Sequence, residues 1–169
     1  PRLSPPLVDA TIDALERVPG RLEPIYRTVE KVKPALPPET TLLGFAGSPW
    51  TVATYMVAGQ GSREQAEARR YAYADPDSFQ HIIDAITDVT IEYLSGQIQA
   101  GVEAVQLFDS WAGSLSPLQF GLWVIGPTAR LVEGSVSLDG ELLPVTVAQH
   151  VFVSAVDEQL TPLEAAPLI

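Results

Sequence analysis

The spacing of apolar residues changes several times along this chain, and each change marks an element. Residues 7–18 carry Leu7, Val8, Ile12, Leu15 and Val18 at helical spacing between Pro5-Pro6 and Pro19-Gly20, which predicts a helix. A second short helix is expected over 24–33, stopped by Pro34, Pro37 and Pro38. Thr40 to Phe45 is short, apolar and bounded by turn residues, the signature of a buried strand. The Gly44 to Pro49 turn ends it, and a helix over Trp50 to Val57 follows, with Pro49 suited to the first helical position. After a loop at 58–62, Ser62 and Gln65 stand at capping-box spacing and open a polar helix through Ala74.

Asp75-Pro76 starts the longest periodic run. Phe79, Ile82, Ile83, Ile86, Val89, Tyr93, Leu94 and Ile98 lay one apolar stripe along a helix over 76–100, with Gly101 as terminator. Asp84 and Asp88 fall on its polar side and are expected to be solvated. Glu103 to Phe108 is a second strand, and Ser116 to Glu133 a further helix broken at Gly126-Pro127. Strand, crossover helices, strand, helix is an α/β order, and crossovers this long imply parallel pairing. Residues 134–169 change character: they hold five acids and no Lys or Arg. Asp139-Gly140 between Ser135–Leu138 and Glu141–Val147 signals a hairpin, Pro144 confines its second arm to a sheet edge, and Val151-Phe152-Val153 offers a third short strand. The expected organisation is an α/β region at 1–133 followed by a short β-rich, acidic tail at 134–169.

The 169 residues are 46% apolar and 18% charged, the balance of one globular domain with a substantial core. The absence of cysteine excludes disulfides, thiolate metal sites and cysteine nucleophiles, and fits a reducing, cytoplasmic setting. No apolar run approaches the roughly 18 residues of a membrane span, and the first residues lack the layout of a secretion signal, so a soluble protein with no membrane partner is expected. A net charge of −11 with ten Lys and Arg argues against nucleic acid as a partner. His81 and His150 are isolated, which favours ordinary surface or core positions over metal ligation. Arg63, Arg69 and Arg70 beside Glu64 and Glu67 read as a solvated face.

The candidate chemistry lies at the two strand-to-helix junctions, where parallel α/β folds carry their sites. They read Gly44-Phe45-Ala46-Gly47-Ser48-Pro49-Trp50-Thr51, with Thr54-Tyr55-Met56-Val57 following, and Ala104-Val105-Gln106-Leu107-Phe108-Asp109-Ser110-Trp111-Ala112-Gly113. In this order and spacing, residues 1–133 resemble the middle of the uroporphyrinogen decarboxylase family. The resemblance implies a (β/α)8 barrel, here partial, and a cofactor-free, metal-free lyase of haem and chlorophyll synthesis. Its reaction would remove the acetate carboxyl groups of uroporphyrinogen III to give coproporphyrinogen III. It further implies that Phe45 and Phe108 line the hydrophobic face against which the porphyrinogen sits, and that the Tyr55 and Ser110 hydroxyls bond its polar groups. On the residues alone, Tyr55 with Trp50 and Met56 also fits a core stripe, and Ser110 a helix cap. No Gly-x-Ser-x-Gly elbow makes Ser110 a nucleophile.

The departures are equally specific. The family's arginine-rich segment, its aspartate facing the pyrrole nitrogens and its late histidine have no counterpart here, and His150 stands in unmatched surroundings. Decarboxylating a pyrrole acetate requires a carboxylate to stabilise the protonated ring and cations to hold the substrate's carboxylates. Closing a barrel takes about 200 residues or more, so this chain is expected to form part of one, with uncovered edges that favour a homodimer. The alternative reading is a non-catalytic truncated, rearranged or engineered α/β protein that keeps barrel packing and lacks the reaction.

Overall fold

A computed structural model describes residues 20–62, 64–135, 137–138, 141–142 and 145–148. The expected helix at 7–18, Arg63, the Asp139-Gly140 turn, His150 and the strand at 151–153 lie outside them. The helices are α1 (Glu23–Val32), α2 (Pro49–Ala58), α3 (Ala66–Ala74), α4 (Pro76–Gln99), α5 (Pro117–Phe120) and α6 (Gly126–Ser135), with a π-helical turn over Gly121–Ile125 between the last two. The strands are β1 (Leu43–Gly47), β2 (Ala104–Phe108), β3 (Ser137–Leu138), β4 (Glu141–Leu142) and β5 (Val145–Ala148).

β1 and β2 run parallel, with Leu43 opposite Ala104 and Gly47 opposite Phe108. β5 joins the other side of β2, also parallel, giving the order β1-β2-β5. The class is therefore α/β with parallel strands and crossover helices. A β-rich tail is not supported: the described part of 136–169 holds β3 paired with β4 over two residues each, and β5, which joins the main sheet.

Local chemistry explains most boundaries. Pro49 occupies the first turn of α2, where its missing N–H costs nothing, and Gly59 closes that helix in the left-handed region at φ 68°. Asp75 caps α4 by accepting the Ser78 N–H at 3.1 Å. The expected break at Gly126-Pro127 appears just upstream: Pro127 has no N–H to give, the ladder shifts, and the Gly126 N–H reaches back to the Gly121 carbonyl. The expected capping box at Ser62 is corrected. Ser62 Oγ does accept the Gln65 N–H at 3.1 Å, but Gln65 is left-handed at φ 49°, so the bond closes a separate turn and α3 begins only at Ala66. A true capping box joins Ser116 and Gln119 at the start of α5.

There are two cores, one against the sheet and one among the helices. Ala46, Val102, Val105 and Leu107 pack on Leu94 of α4 and Leu131 of α6. The opposite face of β1 stays open, with Phe45 58% exposed, so Thr40–Phe45 is not the strand buried on both faces that its composition predicts. Only one sheet face is covered by helices among the described residues. The second core centres on Trp50, which stacks on Trp123 at 5.7 Å, while Phe79 meets both rings at 5.7 and 5.0 Å. Val89 departs from its expected stripe and is exposed. Thr87 and Thr90 are buried instead, their hydroxyls satisfied by the Ile83 and Ile86 carbonyls at 2.7 and 2.8 Å. Asp84 and Asp88 are not simply solvated, because Arg130 of α6 bonds both carboxylates and ties that helix to α4.

Gln97 holds the free edge of β1. The Glu103 N–H bonds the Leu42 carbonyl and the Ser48 N–H bonds the Phe108 carbonyl, so even-numbered residues of this stretch turn toward β2 and odd-numbered ones toward the open edge. There the Phe45 N–H donates to Gln97 Oε1 and the Phe45 carbonyl accepts from Gln97 Nε2, both at 3.2 Å. Gly44 makes room for this clamp, since a Cβ there would stand 2.9 Å from Gln97 Oε1 and 3.0 Å from Val102 Cγ2. Gly44→Ala is expected to destabilise the folded protein by about 1–3 kcal/mol through overpacking. Gly113→Ala, where nothing lies within 4 Å of the new Cβ, is the matched control and should stay within about 0.5 kcal/mol. Urea unfolding midpoints of the two variants check both outcomes.

Candidate functional site

The two junctions are held side by side by hydrogen bonds from the start of α2 to the end of β2. The Ser48 N–H bonds the Phe108 carbonyl at 2.8 Å, and Trp50 Nε1 donates to the Trp111 carbonyl at 3.1 Å. Thr51 Oγ1 does two things at once: it donates to Asp109 Oδ1 at 2.7 Å and accepts the Trp111 N–H at 3.3 Å. Backbone groups on both sides of Ser110 are thereby fixed to one helical turn.

Phe45 and Phe108 meet on the open face of the sheet. Their rings are 6.0 Å apart at 78°, an edge-to-face contact that leaves Phe45 largely in solvent. Tyr55 lies one turn after Thr51 on α2 and is 40% exposed, outside the Trp50 core that its spacing also allowed. Its ring stands over Gly61, where an added Cβ would lie 3.0 Å from the Tyr55 Oη and 3.3 Å from Trp111 Cζ2. Ser110 is half-buried between Asp109 and Trp111. The 3-10 turn that follows, Ala112–Ser114, has Trp111 at its N-cap and no side-chain cap, so the Ser110 hydroxyl is not used for capping. The structure thus joins Phe45 to Phe108 by ring contact, and joins Tyr55 to Trp111, the neighbour of Ser110, through Gly61.

Asp109 is the residue that sequence reasoning undervalued. Adjacent to Ser110, it turns inward, is 1% exposed, and bonds Thr51. Its Oδ2 has no hydrogen-bond partner among the described residues. An acid that closes an apolar strand run, opposite a Thr in the first turn of a facing helix, was the available signal. Elsewhere, Arg69 and Arg70 line an open groove of about 560 Å³ with Ala66, Tyr73 and Ala74. His81 is exposed on α4. No group of three or more His, Cys, Asp or Glu able to hold a metal ion occurs among the described residues, and none of their helices is long and apolar enough to cross a membrane.

A family model described as uroporphyrinogen decarboxylase matches residues 1–153, extending the likeness beyond the 1–133 over which the sequence alone shows it. The uroporphyrinogen decarboxylase of Rhizorhabdus wittichii is 74% identical over 132 residues, covering 78% of this chain and 38% of its own length. That of Sphingopyxis alaskensis is 68% identical over 132 residues, covering 78% of this chain and 39% of its own. That of Novosphingobium aromaticivorans is 58% identical over 98% of this chain and 52% of its own. This chain therefore spans about two-fifths to one-half of the length of these curated relatives. A methyltransferase from Methanosarcina mazei superposes with a TM-score of 0.61 at 17% identity, over 76% of this chain and 35% of that one, a likeness of fold alone.

Burial pushes the Asp109 carboxyl up to about 6, against partial relief from the Thr51 hydroxyl. Because the unfolded value is about 4, the folded chain binds the extra proton between about pH 4 and 6. Stability from this group is full below that window and is lost as pH rises through it, by ~2–3 kcal/mol. Asp109→Asn keeps the acceptor for Thr51 and removes the ionisation. Unfolding free energies measured from pH 4 to 7 should therefore fall less steeply in the variant, and parallel curves would contradict the buried acid.

Proposed function

We propose that this chain, which belongs to the uroporphyrinogen decarboxylase family, supplies one wall of a porphyrinogen cleft in an enzyme that removes acetate carboxyl groups from uroporphyrinogen III to give coproporphyrinogen III. The observation that carries the reading is the Phe45–Phe108 pair, an exposed edge-to-face aromatic contact on the uncovered side of a parallel sheet, next to the strand ends. The apolar pyrrole faces of a porphyrinogen, whose methylene bridges leave the macrocycle puckered, are the complement of such a face. The Tyr55 and Ser110 hydroxyls would bond the substrate's polar groups at its rim. The reading places the uncovered face of β1 and β2 inside a (β/α)8 barrel that further strands complete.

The chemistry divides between what these residues offer and what lies elsewhere. Protonation makes the pyrrole ring the sink for the electron pair of the breaking carbon–carbon bond. Carbon dioxide leaves, the exocyclic methylene takes up a proton to become a methyl group, and the ring gives back the proton it first accepted, which restores the pyrrole. Aromatic walls and hydroxyls orient a ring for this; an exposed carboxylate is needed to stabilise the cation. Asp109 is not that group, since it is buried against Thr51. The proposed enzyme uses no cofactor, works in the cytoplasm and is a homodimer. Exposed Leu118, Leu122 and Ile125, at steps of four and three along one helical stretch, support the last point.

The test is anaerobic incubation of the full-length protein with uroporphyrinogen III, with coproporphyrinogen scored by fluorescence after oxidation. Product is expected. Tyr55→Phe and Ser110→Ala should each lower kcat/KM by about fivefold to tenfold, the loss of one hydrogen bond. Turnover unchanged in both variants would remove the assignment of these hydroxyls, and neither binding nor turnover in the unaltered protein would favour the non-catalytic alternative.

A further inference from the structure

We propose that Thr51 is a positioning residue for this site: its hydroxyl is the pin that sets Ser110, just beyond the strand end, against Tyr55 on the facing helix. The inference rests on the porphyrinogen reading for its consequence and on geometry for its substance. Thr51 and Tyr55 are four residues apart on α2, so both lie on the same helix face, one turn apart. Ser110 sits between the two residues that the Thr51 hydroxyl grips, Asp109 through its carboxylate at 2.7 Å and Trp111 through its N–H at 3.3 Å. One oxygen therefore acts as donor and acceptor to both neighbours of a substrate-facing serine. Trp111 carries the constraint outward, because its ring and that of Tyr55 flank Gly61 together. Two further ties, from Ser48 and the Trp50 indole, hold backbone carbonyls at Phe108 and Trp111. Neither reaches Asp109 or the Trp111 N–H, so neither duplicates the pin.

Two substitutions separate a hydroxyl pin from simple packing. Thr51→Val keeps the methyl group and removes the hydroxyl, whereas Thr51→Ser keeps the hydroxyl and removes the methyl. A packing role predicts damage in the serine variant; the pin predicts damage in the valine variant and rescue by serine. The first readout is amide hydrogen exchange of the full-length protein at Trp111. Exchange should speed up about tenfold or more in Thr51→Val and stay near the parent rate in Thr51→Ser, while the α4 amides of both match the parent. The second is steady-state turnover of uroporphyrinogen III per folded molecule, where Thr51→Val should lose about tenfold to a hundredfold in kcat, as misplaced groups do, and Thr51→Ser should retain most of it. Parent-like exchange in Thr51→Val overturns the pin, as does a serine variant that loses as much activity as the valine one. If the unaltered protein proves inactive, the porphyrinogen reading fails, and so does the role of Thr51 in that site, while the exchange result still decides whether the hydroxyl holds the turn.

Discussion

The arrangement of both junctions depends on a few hydrogen bonds made by the first turn of one helix to the end of the neighbouring strand. Parallel strands bond along their length, but nothing in a parallel ladder fixes the loops beyond its ends. Here the Ser48 N–H, the Trp50 indole and the Thr51 hydroxyl fix them, reaching Phe108, Asp109 and Trp111. The arrangement has an electrostatic cost, borne by Asp109. Its carboxyl is withdrawn from water, with only the Thr51 hydroxyl bonded to it among the described residues, and burial favours its protonated form up to about pH 6. A buried polar group of this kind specifies a geometry more than it adds stability.

Trp50 shows how the site and the core share one side chain. Its ring stacks on Trp123 and touches Phe79, fully buried, while its single N–H points back to the Trp111 carbonyl. The aromatic cluster from α2, α4 and the π-helical turn thus anchors the junction from beneath. Polar and apolar ends of one residue link packing to the placement of the loop, the usual reason for a tryptophan rather than a phenylalanine at such a position.

Much of this was legible in the residues. Proline and glycine punctuation located α1, α2, α4 and both strands to within a few positions, because those residues act through their own backbones and need no tertiary partner. The junction motifs named the family, and the comparisons agree. What escaped depended on partners distant in sequence. Ser62–Gln65 has the spacing of a capping box, yet spacing does not reveal that Gln65 is left-handed and buried. Asp84 and Asp88 looked solvated because Arg130 lies 42 residues or more away. The inward turn of Asp109 depends on Thr51, 58 residues away, since nothing local says which way a carboxylate turns at a strand end. Thr87, Thr90 and Gln97 broke the apolar stripe of α4, and only the carbonyls they satisfy explain why they are buried.

Gln97 also constrains how any larger sheet is built. A strand added beside β1 would meet the odd-numbered residues Leu43, Phe45 and Gly47, whose backbone groups turn to that edge. The middle of the three is already engaged, with both its N–H and its carbonyl on the Gln97 carboxamide. A neighbouring strand must therefore bond through Leu43 and Gly47 and pass Phe45, or displace a buried amide whose bonds among the described residues are both to Phe45. Displacement would leave that amide unsatisfied beneath Gly44, at a cost of about 1–3 kcal/mol. Passing it leaves the clamp intact and keeps the Phe45 ring on the face it shares with Phe108. A larger sheet that preserves the aromatic pair is thus one whose next strand is bulged or short opposite Phe45, a geometric demand that originates in one glutamine of the long helix.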